Sequence, residues 1–269
     1  MSAPHPMAER AGTTTSGPVF EVQGLGKFFP KGNEDIVALR EYDLRVEPGQ
    51  FLVLLGRSGC GKSTLLNLLA GLTRPSTGTI RYHGAPLTGP DTRIGYLTQH
   101  DTLMPWRDVT RNIEMPRELR GDDRRSRRRA ALDLVELVGL RGFEKHYPRE
   151  LSGGMRRRVS LARMLCGEPE TLLMDEPFGA LDAQLRMELQ GELLRLWQGS
   201  GRTVVFVTHD IEEALVLADR VVVLGRVGAV LLDQRVGLPR PRDPDDVRVD
   251  PRFVQLHRQL SSALKEGAR

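Results

Sequence analysis

From Val19 to Glu47 short apolar runs alternate with glycine, proline, asparagine and aspartate. VFEVQG, IVALR and YDLRVEPG are predicted as antiparallel strands joined by turns. Lys27-Phe28-Phe29-Pro30 falls in the first break, where the pattern alone places the aromatics in the core. Phe51 to Gly71 reads as an apolar strand, a glycine-rich turn and a helix beginning near Lys62. Pro75-Ser-Thr-Gly78 closes that unit; TIRYHG and Ile94–Thr98 are further strands, the second ending at Gln99. Beyond Asp101 the strand signal gives way to helical spacing, with Ala131, Leu134, Val135 and Val138 on one face.

A helix after Leu151-Ser-Gly-Gly-Met155 carries Val159, Ala162 and Leu165 on one side. Thr171–Met174 is a buried strand, and Gln184–Gln198 a helix with Leu185, Leu189, Leu193 and Leu196 at core spacing. Thr203–Val207, Asp219–Leu224 and Ala229–Asp233 are strands, and Asp250-Pro251 starts a last amphipathic helix with Phe253, Leu256, Leu260 and Leu264. The pattern predicts an α/β domain over 19–269. It has an antiparallel β-subdomain, an inserted α-helical subdomain at about 101–165 and a tail helix at about 250–265. Residues 1–18, rich in small residues, proline, serine and threonine, are expected to be a disordered lead without a secretory apolar region.

Composition narrows this only a little. At 269 residues the chain can bury a sizeable core, and no run approaches the roughly eighteen apolar residues of a membrane-spanning helix. Cys60 and Cys166 have neither disulfide nor metal-ligand spacing, so a reducing cytoplasm is the expected setting. A net charge of +4 argues only weakly for nucleic acid or a membrane surface. The one dense basic patch, Arg124–Arg129, is read as a solvated helix face.

The candidate chemistry lies at the breaks. Gly56-Arg57-Ser58-Gly59-Cys60-Gly61-Lys62-Ser63 fits the phosphate-loop spacing G-x-x-x-x-G-K-[ST]. Its glycines allow positive φ, its N–H groups and the following helix start attract anionic oxygen, Lys62 supplies a point charge and Ser63 a hydroxyl for Mg²⁺. Asp175 and Glu176 end an apolar strand where such sheets hold ligands. One acid suits the metal and the other an attacking water. His209 closes another strand at the same edge, and Ser152-Gly153-Gly154 opens a helix with free N–H groups.

GRSGCGKST, Gln99, LSGGM, TLLMDEP and THD, in this order, resemble the nucleotide-binding subunit of ABC transporters from about Val19 onward. The resemblance implies a P-loop NTPase core that binds ATP and Mg²⁺. Gly56 to Ser63, with Thr64 after them, would form the ATP loop, and Phe29 would stack on adenine in place of its core reading, with Phe28 as a possible substitute. Ser63, Gln99 and Asp175 would serve the metal. Glu176 would polarise water, His209 would contact the γ-phosphate, and Asp182 would support a partner's site. Ser152, Gly153, Gly154 and Met155 would cap ATP held by a second copy in a head-to-tail homodimer. Met155 and Arg157 stand where the family has glutamines, a departure expected to leave hydrolysis intact because no backbone donor is lost.

The resemblance also implies transmembrane permease partners, met through the helical subdomain at the cytoplasmic membrane face. An extracytoplasmic solute-binding protein would act indirectly. Leu103-Met-Pro-Trp106, LSGGM and the tail Leu238–Pro244 look like importers of nitrate, sulfonates and taurine. An ABC ATPase acting on DNA or ribosomes would need tandem domains or a long coiled coil, which this sequence lacks, and no nucleic-acid partner is expected. A lone phosphate-loop kinase would leave LSGGM and His209 unexplained.

Overall fold

A computed structural model describes residues 17–267 apart from 33, 101, 180 and 243–245, so the expected lead at 1–18 falls almost wholly outside the described residues. β1 (Phe20–Lys31) and β2 (Glu34–Val46) form one long antiparallel hairpin instead of three short strands with a break at Lys27–Pro30. The interruptions act as bulges: the register slips at three places along β1, with Gly24 at φ 56° and Glu41 of β2 at φ 48°. A bulge bends a strand while pairing resumes beyond it. Phe29 therefore pairs with Ile36 inside the hairpin and is 41% exposed, which removes it from the core. β4 (Thr77–Tyr82) and β5 (Ala85–Pro86) complete this first sheet in the order β2-β1-β4-β5.

The second sheet holds β3 (Phe51–Gly56), β6 (Ile94–Leu97), β7 (Thr171–Asp175), β8 (Thr203–Thr208), β9 (Arg220–Leu224) and β10 (Val230–Arg235). Their order is β10-β9-β3-β8-β7-β6. Only β10 runs antiparallel to its neighbour. The unbroken apolar text of β3 and β8 is what a parallel sheet covered on both faces requires. Leu52 and Leu54 face a core shared with the hairpin sheet and α1 (Lys62–Leu69), while Phe51, Val53 and Leu55 face the opposite core. That second core is closed by α5 (Ala183–Trp197), α6 (Ile211–Leu217) and α7 (Pro251–Glu266). α6 was absent from the sequence pattern. Five of its seven residues are buried, so no amphipathic stripe marks it.

α2 (Val109–Leu119), α3 (Arg124–Leu137) and α4 (Gly153–Cys166) form the inserted helical layer. Its own small core includes Leu103, Ile113, Ala131, Val135, Val159 and Ala162. α4 is two-faced: Val159, Ala162 and Cys166 enter that core, whereas Leu161, Met164 and Leu165 enter the sheet's core. Three- and four-residue spacing thus makes one helix the shared wall of both units.

Candidate functional site

β3, β8, β7 and β6 are neighbours and parallel, so their C-terminal ends meet at one edge of the sheet. That edge delivers the glycine loop from β3, His209 from β8, Asp175 and Glu176 from β7, and Gln99 just beyond β6. It is the side on which open α/β sheets bind ligands.

Two loop glycines are required sterically. A Cβ on Gly56 would lie 2.8 Å from the Leu224 carbonyl oxygen, and one on Gly61, at φ 105°, 2.6 Å from that of Ala38. The Lys62 ammonium is buried and donates to the Gly56 and Arg57 carbonyls at 2.7 and 2.8 Å. Arg57, Ser58, Gly59 and Ser63 are exposed and Thr64 half-buried, whereas Cys60 packs its thiol into the hairpin-side core. The other six α-helices each start with a side chain that accepts a backbone N–H: Asp108, Asp123, Ser152, Asp182, Asp210 and Asp250. α1 starts at Gly61 with no side-chain cap and no acid in its first turn. Its N–H groups and positive dipole end are left for an anion.

Asp175 is 3% exposed, and burial pushes its carboxyl up from the ordinary range. The Ser63 hydroxyl opposes that rise, the Glu176 charge adds to it, and Lys62 and Arg157 pull it back. Its Oδ1 is buried without a hydrogen-bond partner. A buried, unpartnered carboxylate oxygen beside a hydroxyl fits a hard divalent cation such as Mg²⁺, which takes oxygen ligands and keeps several waters. No group of three or more His, Cys, Asp or Glu side chains suited to a metal occurs among the described residues, so a cation here would rely on few protein ligands.

Glu176 follows in left-handed backbone, φ 44°, a conformation that costs about 1–3 kcal/mol and is concentrated at functional sites. Its Oε2 lies 3.3 Å from Nδ1 of His209, whose side chain is 60% exposed. A half-buried carboxylate and an exposed imidazole therefore face the space beside the loop, a pairing suited to holding a water or a phosphate oxygen.

Gln99 is exposed and lines, with His100, Gly153, Arg157, Glu176 and Gly179, a cavity of about 400 Å³. Ser152 caps α4, its Oγ accepting from Met155 N–H at 3.2 Å. This takes the Met155 donor, and the Met155 side chain packs on the helical core. Gly153 and Gly154 then carry the α4 N–H groups with no hydrogen bond among the described residues. Asp182 caps α5 through Leu185 N–H at 3.0 Å. Phe29 sits under the Lys27 ammonium, 5.0 Å from its ring centre. Its partner Ile36 is two residues from Ala38, which crowds Gly61, so β2 links this aromatic to the loop.

Arg157 is the residue that sequence reasoning undervalued. It is 6% exposed, and its guanidinium donates to the carbonyls of Thr98, Gln99, Asp175, Glu176 and Pro177. The signal was available in the helical spacing. Arg157 stands four and eight residues before Leu161 and Leu165, on the face of α4 that enters the sheet's core. A buried guanidinium there must find acceptors.

Residues 39–179 match the family described as ABC transporter. A taurine import ATP-binding protein of Yersinia pestis is 48% identical over 70% of this chain and 73% of its own length. A nitrate import ATP-binding protein of Synechococcus elongatus is 42% identical over 89% of each chain. The fold matches a dimeric post-hydrolysis ATP-binding cassette bound to ADP and Pi, with a TM-score of 0.76 and 30% identity over 82% of this chain and all of that one.

Proposed function

We infer that this chain, which belongs to the ABC transporter family, is an ATPase subunit that powers import of a small anion such as nitrate, taurine or another sulfonate. The relatives named for nitrate and taurine import support that substrate class. The observation that carries the enzymatic reading is the meeting of Asp175, Glu176 and His209 beside the uncapped start of α1.

The ATP phosphates would be held by the N–H groups of Gly56 to Thr64, with Lys62 leaving its loop carbonyls for the β- and γ-oxygens. Ser63 and Asp175, with Gln99 at the edge, would hold Mg²⁺, which would neutralise phosphate charge when bound. Glu176 would orient and deprotonate the attacking water, and His209 would hold the γ-phosphate at the same point. Phe29 offers the exposed face on which adenine would stack.

One copy leaves the γ-phosphate side open. Ser152, Gly153 and Gly154 of a second copy would close it, with Asp182 at the same seam, as a head-to-tail homodimer. No helix among the described residues is long and apolar enough to cross a membrane. The subunit would act at the cytoplasmic face on a transmembrane permease, with the solute delivered by a separate extracytoplasmic binding protein.

The test is reconstitution with its cognate transmembrane permease. Wild type should couple ATP hydrolysis to uptake of nitrate or taurine. Glu176→Gln should bind ATP yet lose hydrolysis by about 10²–10⁴-fold. Wild-type turnover in that variant would remove Glu176 from its role, and uptake of neither anion would overturn the substrate class.

A further inference from the structure

We propose that Arg157 is a positioning residue that locks the Gln99 loop and the Glu176 turn to the signature helix, so that both catalytic groups follow that helix. The inference rests on the ATPase reading above. α4 begins with Ser152, Gly153 and Gly154, the stretch assigned to a partner's ATP, and Arg157 lies one turn later. Its Nε donates to Pro177 O at 2.8 Å, and its Nη2 to Asp175 O at 2.7 Å and Glu176 O at 3.1 Å. Its Nη1 donates to Thr98 O and, at 3.3 Å, to Gln99 O. One planar group thus fixes the peptides on both sides of Glu176 and the backbone of Gln99. α4 holds the same loop again further along, where Arg163 Nη1 donates to Thr102 O at 2.9 Å.

The geometry has a chemical consequence. The Glu176 backbone is held at a positive φ that an unassisted chain leaves, and Arg157 ties down the carbonyls on either side of that bend. The rigid fork of a guanidinium can satisfy carbonyls from two separate segments at once, which an ammonium on a flexible stem does less well. Engagement of the α4 start by one site's ATP is thereby transmitted to Gln99 and Glu176 of the other site. Arg157 touches neither nucleotide nor water in this scheme. It sets where the residues that do so stand, and it links the two sites of a dimer.

Arg158 provides the control. It sits next on the same helix and donates to the Val138 and Gly139 carbonyls at 3.0 Å each, which fastens α4 to the end of α3, away from the catalytic edge. The steady-state ATPase of the full chain is measured for wild type, Arg157→Met, Arg157→Lys, Arg157→Ala and Arg158→Ala. ATP dependence, Hill coefficient and thermal melting are recorded for each. Arg157→Met, which keeps the length of the side chain without a donor, is expected to lower kcat at least about tenfold with KM within about threefold. Its Hill coefficient should move toward one, and Arg157→Lys should recover part of the rate. Arg158→Ala should keep kcat within about twofold despite a lower melting point.

An Arg157→Met kcat within twofold of wild type overturns the proposal. So does an equal loss in Arg158→Ala, which would mean that only general stability is at stake. If Arg157→Ala fails to fold, the methionine and lysine variants decide. Absence of ATP hydrolysis in the wild-type chain would instead sink the underlying ATPase reading.

Discussion

The half of the molecule that holds the glycine loop and the half that carries LSGGM are built on different principles. The first is a parallel sheet covered on both faces, where β3 and β8 are buried at every position. The second is a three-helix layer with a small core. Polar bonds from α4 supplement its apolar attachment: Arg157 and Arg163 reach the loop after β6. Apolar packing over two faces fixes the phosphate loop in one arrangement. Directional hydrogen bonds to backbone carbonyls hold the other half in register with the edge of the sheet.

This contrast can be broken at several points. Lys62→Ala removes the loop's charge and should weaken ATP binding by about 1.5–3 kcal/mol, roughly ten- to a hundredfold in Kd. Titration with a fluorescent ATP analogue reads this directly, and unchanged affinity would contradict the assignment of the loop. In the sheet's core, Leu54→Ala should cost about 2–5 kcal/mol of global stability by denaturant unfolding. Val135→Ala in the helical core should cost less and leave ATP affinity unaltered; an equal loss of affinity would mean that the halves are not separable.

Ser152→Ala removes the α4 cap, with about 1 kcal/mol expected from melting curves. The smallest effect concerns Glu213 of α6, which is buried behind the strand that carries His209 and accepts from Gln190 Nε2 at 3.0 Å. Burial raises its carboxyl above the ordinary range, while Thr208 and Gln190 oppose the rise. A folded-state value above the unfolded one means that ionisation costs stability as pH rises through it. Glu213→Gln should therefore raise Tm at neutral pH. The gain should vanish as pH falls through the ordinary carboxylate range, and a gain independent of pH would contradict this reading.

Much of the site was legible because its residues sit at strand ends. An apolar run followed by GRSGCGKST, DEP or TH marks both an element and its edge, and a parallel sheet brings such edges together. The hairpin was less legible, because Gly24 and Glu41 look like turns until the partner strand shows them to be bulges. Phe29 illustrates the same limit: its exposure depends on which face of β1 it takes after those slips. The acceptors of Arg157 were hidden for a different reason. In the run Arg156–Arg158 each guanidinium donates to a carbonyl inside the fold: Leu151 for Arg156, the catalytic edge for Arg157 and the α3 terminus for Arg158. Only tertiary structure assigns those acceptors.

The claim at the centre of this account is that one copy supplies half of each ATP site. Sedimentation velocity of Glu176→Gln, with and without saturating ATP, tests it most directly. The account predicts a monomer without nucleotide and a dimer with ATP, reversed by adding Ser152→Ala with Gly153→Asp to block the signature face. A species that stays monomeric with ATP demonstrably bound would contradict it.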